Sequence, residues 1–346
     1  MYSDWLKKFI KATIPPLVDA AGIYTRTIND AARASPVWLV VMYHRVIREA
    51  GEDPFHLGMC VTESRFREQI EYLQNNFEPI SLREGARRMQ DGRPMPTRSV
   101  SFTFDDGYAD NATVAWPILR SHGLPSTIYV TVGGRDEGRA LWWDRVIHAI
   151  ANTTQPILFA SEIGLKLGQE SFPLSWASRS RSLTVLLDRL WQLDMTTVLK
   201  VVDRIEETLS PRPNPRTLPA RLSDEAIIEL HEAGVEIGAH TVTHPNLCML
   251  SGPGIKHELM ESKKTLERLT GATIDGFAYP AGFCNDRVIQ AVAEAGYRYA
   301  VGTERGLNRG NRNPFLIERM GAPNTGMADF KRCVASLTRA SSQGHD

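Results

Sequence analysis

Val100–Val132 of the 346-residue chain reads VSFTFDDGYADNATVAWPILRSHGLPSTIYVTV. Its first five residues form a strand that runs directly into Asp105-Asp106-Gly107, where an Asp-Gly pair favours a turn. ADNATVAWPILRSHG follows as a helix, and STIYVTV reads as a second strand. Strand, helix and strand make one β–α–β unit, and repetition of that unit indicates a parallel sheet, open or closed into a barrel.

The unit does repeat. Val37–Tyr43 (VWLVVMY) is a near-continuous apolar run, as expected of a strand buried on both faces. Phe66, Ile70 and Leu73 lie at helical spacing, and a second helix is expected after Ser81. Further on, Ser223 is a candidate N-cap, with Asp224 and Glu225 placed in the first turn where acidic groups suit the helix dipole. That helix should stop at Gly234, and Val235–Ala239 reads as the next strand. The strands IDGFAY, YRYAV and FLIERM complete a set of seven, separated by IKHELMESKKTLERLTG and DRVIQAVAEAG and followed by a C-terminal helix.

One stretch breaks the alternation. From about 141 to 222 the pattern is helical and ends in PRPNPRTLPARL, a segment with the composition of an exit linker. It reads as a helical insertion on a barrel loop. The expected organisation is therefore an N-terminal helical segment (1–35), a catalytic-type domain (36–340) carrying that insertion, and a frayed tail (341–346). Four of the seven tryptophans (Trp142, Trp143, Trp176, Trp191) fall within the insertion and are expected to anchor its core. Trp142 and Trp143 are the expected exceptions. Nearest a strand end, they are candidates for stacking on a sugar ring.

Lys+Arg and Asp+Glu number 40 each, hydrophobic residues make up 42% of the chain, and the mean hydropathy is -0.26. That balance excludes disorder and argues against nucleic-acid binding, which needs a basic excess. Cys60, Cys248, Cys284 and Cys333 are scattered without paired spacing and read as free thiols. Lys7, Lys8 and Lys11 interrupt the early apolar run, and no window approaches the ~20 apolar residues of a membrane span. The expected location is the cytoplasm. Trp5, Leu6, Phe9 and Ile10 would allow peripheral membrane contact at most.

Four elements carry chemistry, each at the end of an expected strand. Adjacent carboxylates at Asp105 and Asp106 are costly at the end of an apolar strand unless positive charge sits beside them, although the same residues also read as a turn. His240-Thr-Val-Thr-His244 supplies two imidazoles four apart. Two histidines, one carboxylate and an open position are the ligand set of catalytic zinc. Tyr279-Pro280-Ala281-Gly282 leaves a backbone N–H free for an oxyanion, or is a plain turn. His44, in Tyr43-His44-Arg45, would share the same face, because parallel α/β barrels collect their sites at strand C-termini.

TFDDG, HTVTH and the YPAG loop together resemble the polysaccharide deacetylase family, the NodB-homology or carbohydrate esterase family 4 group, over about residues 36–340. MYHRV and FREQIEYLQNNFEPISL further resemble its poly-N-acetylglucosamine de-N-acetylase branch. The resemblance implies an α/β fold, a distorted (β/α)7 barrel, and hydrolysis of N-acetyl groups on an N-acetylated oligo- or polysaccharide; the expected cytoplasmic location suggests a lipid-linked precursor as its form. It implies Asp105 as general base and Asp106, His240 and His244 as ligands of a divalent metal, zinc first and cobalt or nickel next. Ala281, with Tyr279, Pro280 and Tyr108, would hold the oxyanion or substrate. The family's third-motif arginine is absent, its place taken by Ala278, and the late Leu-x-His motif is replaced by LIERM. In the exopolysaccharide branch the acid comes from the early Tyr-His motif, here His44. Arg319 and Arg45 are the candidates to orient the base. Hydrolysis of another acyl group, or glycan binding without turnover on the same fold, are the alternatives.

Overall fold

The computed structural model describes residues 15–135, 138–165, 170–214, 217–309 and 313–340. The expected helix around Trp5–Ile10 and the expected tail lie outside them.

Seven parallel strands form the centre: β1 (Val37–Tyr43), β2 (Arg98–Phe104), β3 (Ser126–Val130), β4 (Glu236–Ala239), β5 (Gly276–Ala278), β6 (Tyr299–Val301) and β7 (Met320–Gly321). Their spatial order is β6-β5-β4-β3-β2-β1-β7, and the two-residue strand Glu78–Pro79 lies beside the start of β2. Each inner strand neighbours its sequence neighbour, as expected of repeated β–α–β units. The sheet curls, and Ile317 bridges Val301 of β6 while Met320 pairs with Val41 of β1. The stretch before β7 therefore joins both edges of the sheet.

Register decides what meets on the rim. β1 and β2 pair residue for residue from Val37↔Arg98 to Tyr43↔Phe104, and the Asp105 N–H donates to the Tyr43 carbonyl at 3.0 Å. β3 ends level with β4 at Val130↔Ala239, and the His240 N–H donates to Val130 at 3.0 Å. Ala239 in turn pairs with Phe277 of β5. Because all seven strands are parallel, His44, Asp105, Asp106, His240 and the Tyr279–Gly282 loop emerge at one end of the sheet.

The crossover helices follow the sequence signals. Ser81 caps α3 (Leu82–Gln90) by accepting from the Glu84 N–H, and Ser223 caps α8 (Asp224–Glu232) through the Ala226 N–H. Before them, α1 (Ile23–Ala34) buries Tyr24, Ile28 and Ala32, one face at i, i+4, i+8, and α2 (Glu63–Asn76) buries Phe66, Ile70 and Leu73. The crossover after β2 departs from expectation. Asn111–Ala115 is a π-helical turn leading into α4 (Trp116–Ser121), an irregularity common at functional sites. FLIERM, read as a full strand, contributes only a bridge at Ile317 and a ladder from Met320. Asn308 takes both backbone groups of Glu318, and the Arg319 N–H goes to Glu304, so those groups bond a loop rather than a neighbouring strand.

Between β3 and α8 the chain forms α5 (Trp142–Asn152), α6 (Arg179–Leu190), α7 (Met195–Leu209) and an antiparallel pair, Ile157–Phe159 with Ser171–Pro173. These elements share an apolar cluster of their own, including Val146, Ile150, Leu183, Leu186, Val202 and Ile205. Each such buried aliphatic contributes roughly 1.5–3 kcal/mol against the entropy of ordering the segment. After α9 (Gly252–Thr270) and α10 (Asp286–Glu294) the chain closes with α11 (Met327–Ala340), which lies against α1 with a Lys331–Asp19 ion pair at 2.9 Å. The four cysteines are free. Among the described residues no helix is long and apolar enough to cross a membrane.

Candidate metal centre and active site

Asp106, His240 and His244, all buried, bring one oxygen and two nitrogens together at the rim. The His240 Nε2 to His244 Nε2 distance is 3.0 Å, and Asp106 Oδ1 lies 3.4 Å from each nitrogen. A tetrahedral ion with bonds of ~2.0–2.1 Å would separate its ligands by about 3.3 Å, so this triangle has the edges of one face of such a site. Chemistry agrees with geometry. The His240 Nδ1 faces the Ala278 carbonyl at 2.7 Å; a carbonyl can only accept, so Nδ1 carries a proton and Nε2 is the atom turned to the triangle, where burial is outweighed by the contact with Asp106 and the Asp105 charge and the ring's pKa is raised. Burial, together with the neighbouring His240, pushes His244 down to about 3, so its ring is neutral. The second oxygen of Asp106 is buried without a partner. Two facing ring nitrogens and an orphaned carboxylate oxygen are costly alone and are satisfied together by a cation.

The backbone around these groups is strained. Asp106 (φ 76°), Thr241 (67°), His244 (58°) and Ala281 (50°) are four of the six described non-glycine residues at positive φ. Such residues cost roughly 1–3 kcal/mol each and persist where their surroundings over-determine them. At the HTVTH loop the surroundings are visible. Glu258 of α9 accepts from the Val242 and Thr243 N–H groups at 2.7 and 2.9 Å and from the Thr243 hydroxyl at 2.6 Å, while the Thr241 hydroxyl accepts from the His244 N–H at 3.0 Å.

Asp105 sits beside the triangle and belongs to a different pair. Arg319, fully buried, reaches it in bidentate fashion at 2.7 and 2.6 Å, and is itself fixed by the Gly302 carbonyl at 2.7 Å and the Thr103 hydroxyl at 3.2 Å. Burial opposes ionisation of Asp105, but the Arg319 charge and hydrogen bonds outweigh it, so its pKa lies below the usual carboxylate range. His44 is half-buried at the end of β1, within electrostatic reach of Asp105, Asp106 and His244. Its carbonyl accepts from Asn111 of the π-helical turn at 2.7 Å, tying the His44 loop to the segment after Gly107.

A family model described as polysaccharide deacetylase matches residues 92–152 and 184–300, together more than half of the chain. The chain belongs to the polysaccharide deacetylase family. Among curated relatives, the Bacillus subtilis protein named "Putative polysaccharide deacetylase YxkH" is 19% identical over 81% of this chain and 70% of its own length. The poly-beta-1,6-N-acetyl-D-glucosamine N-deacetylase of Escherichia coli is 33% identical over a stretch that is 28% of this chain and 14% of that enzyme. Among solved structures, the Streptococcus pyogenes deacetylase PplD in complex with acetate superposes with a TM-score of 0.59 at 18% identity, over 88% of this chain and 99% of that one. The curled seven-stranded sheet is thus the distorted barrel of polysaccharide deacetylases.

Within that frame the expected residues divide. Arg319, not Arg45, contacts Asp105; Arg45 is engaged with Asp110 at 2.9 Å and Glu52 at 3.2 Å, with its guanidinium 5.6 Å from the Tyr108 ring. Ala281 is exposed in a left-handed turn, and no described residue accepts from its N–H. Pro280 begins that turn and is buried. Tyr279 does not present its side chain to a ligand: its ring is buried against Phe277 and its hydroxyl donates to the Phe315 carbonyl. Tyr108 is likewise fully buried, its hydroxyl shared between Asp144 and Trp143.

Trp142 and Trp143 also differ from expectation. Both are buried: the Trp143 ring lies 4.2 Å from the His244 ring, and the Trp142 Nε1 points at the His244 carbonyl at 3.5 Å, so they wall the metal triangle rather than offer a sugar-stacking face. Trp191, expected in the core, is half-buried 5.5 Å from His244 and 5.7 Å from the exposed Phe283, and Trp176 is 85% exposed. The sequence reading missed Glu258, Asp144 and Trp191. Only Glu258 carried a local signal, as a carboxylate on the face of α9 that also holds Ile255, Leu259 and Leu266.

Proposed function

We propose that the protein removes N-acetyl groups from N-acetylhexosamine residues of a polysaccharide or its precursor, releasing acetate and leaving a free amine. The observation that carries this reading is the buried Asp106–His240–His244 triangle set beside an Arg319-held Asp105 on a polysaccharide deacetylase barrel. The E. coli match to a poly-N-acetylglucosamine deacetylase favours a glucosamine-type substrate.

Asp106, His240 and His244 would hold a divalent cation, with zinc the ion we propose. Such a cation, when bound, lowers the pKa of water toward neutrality and polarises a carbonyl. Asp105 takes the proton of the attacking water, and its depressed pKa keeps it ionised and ready to do so at neutral pH. The Ala281 N–H donates to the oxygen of the tetrahedral species, where charge develops. His44 gives a proton to the leaving nitrogen as the C–N bond breaks, so the amine departs neutral. One C–O bond forms, one C–N bond breaks, and water is consumed.

Product analysis tests this. Incubation with β-linked N-acetylglucosamine oligomers should yield acetate and an equal amount of free amine. Acetate released only from O-acetyl esters, with no amine formed, would replace the proposed amide substrate by an ester.

A further inference from the structure

The helical segment between β3 and α8 reaches the metal triangle through a buried polar chain. Tyr108, two residues after Asp106, donates its hydroxyl hydrogen to Asp144 Oδ2 at 3.0 Å and accepts from Trp143 Nε1 at 3.1 Å. Trp143 then lays its ring against that of His244. Tyr108 is fully buried and Asp144 is 6% exposed, amid the segment's apolar cluster. A carboxyl group and a phenol are expensive there, since phenylalanine and leucine would fill the same space without desolvating polar groups. The far end of the segment grips the same loops. The Leu222 N–H donates to Gly107 and the Ala109 N–H to Ala220, both at 2.9 Å. Arg221 donates to the carbonyls of Gly133 and Thr131, and the Thr131 hydroxyl reaches the His240 carbonyl at 3.0 Å. Entry and exit of one segment thus close on the loops carrying Asp106, His240 and His244.

We infer that Asp144, Tyr108 and Trp143 form a positioning relay, through which the helical segment fixes His244 and the Asp106 loop for metal binding. This rests on the metal reading proposed above, and it assigns the relay to orientation, not to chemistry on the substrate. Outer partners of metal ligands act in this way, setting ring orientation and basicity.

The test reads metal binding instead of turnover. Zinc affinity of the metal-stripped full chain is measured by competition with a chromogenic chelator, and the visible spectrum of bound Co2+ reports ligand geometry. Tyr108→Phe, nearly isosteric, should bind zinc ~10–100-fold more weakly and alter the Co2+ spectrum. Asp144→Leu should match it, whereas Asp144→Asn, whose amide oxygen still accepts from Tyr108, should bind like the parent. If Asp144→Leu does not fold, Tyr108→Phe and Asp144→Asn decide. Parent-like affinity and spectrum in Tyr108→Phe would overturn the relay alone. Asp144→Asn as weak as Tyr108→Phe would overturn its hydrogen-bond basis. A parent chain that binds no zinc or cobalt would overturn the metal reading and the relay with it.

Discussion

The barrel rim and the helical segment place residues around the same point by different means. On the rim, each group sits at the end of a strand whose register is set by a long ladder: Asp105 follows the seven-residue pairing of β1 with β2, and His240 follows the pairing of β3 with β4. The helical segment contributes side chains that an apolar cluster of its own holds against the site. Under the proposed function the rim supplies the groups with reactive lone pairs and protons and the segment supplies walls and hydrogen bonds, so substitutions on the rim should remove activity and substitutions in the segment should tune it.

The largest effect is expected at the triangle. Asp106→Ala or His244→Ala should lose bound metal and bring acetate release to background, as metal analysis and an acetate assay would show together. Next come the proposed proton carriers. Asp105→Asn and His44→Ala should retain metal while kcat falls by ~10²–10⁴, the usual worth of a general base or acid. Near-parent turnover in either variant would take that residue off the rim's reactive list. Arg319→Met leaves Asp105 buried without its partner and should cost about 3–5 kcal/mol in chemical denaturation of the metal-free protein.

A smaller effect, in the segment, depends on pH. Burial, with the nearby Asp106 charge, pushes Asp144 up to about 8, whereas an unfolded aspartate titrates near ~3.9. The folded protein then holds a proton that the unfolded chain lacks between those values. The stability this contributes is complete below about pH 4 and is lost as the pH rises to about 8. Asp144→Asn should flatten the pH dependence of Tm of the metal-free protein across that range; an unchanged slope would place the ionisation elsewhere.

The same division explains what could be read from the sequence. The strands, the two caps and the four rim elements were legible because each is local: an apolar run, a serine before a helix, a carboxylate pair at a strand end. The choice between Arg319 and Arg45 was not, because Arg319 reaches Asp105 across more than two hundred residues of chain. The two tryptophans were misjudged for a related reason. Trp142 and Trp143 do lie near a strand end, but the side they face is set by how α5 docks beside His244, which no local pattern encodes. Tyr108 and Tyr279 follow the same rule, since their hydroxyls are taken by Asp144 and by the Phe315 carbonyl, partners distant in sequence.

Metal-dependent N-deacetylation is tested most directly by acetate release from N-acetylglucosamine oligomers by the purified protein, before and after chelation and again after metal is returned. Chelation should abolish release, and one divalent ion per chain should restore it. Release that continues unchanged in protein shown to be free of metal would contradict the proposed function.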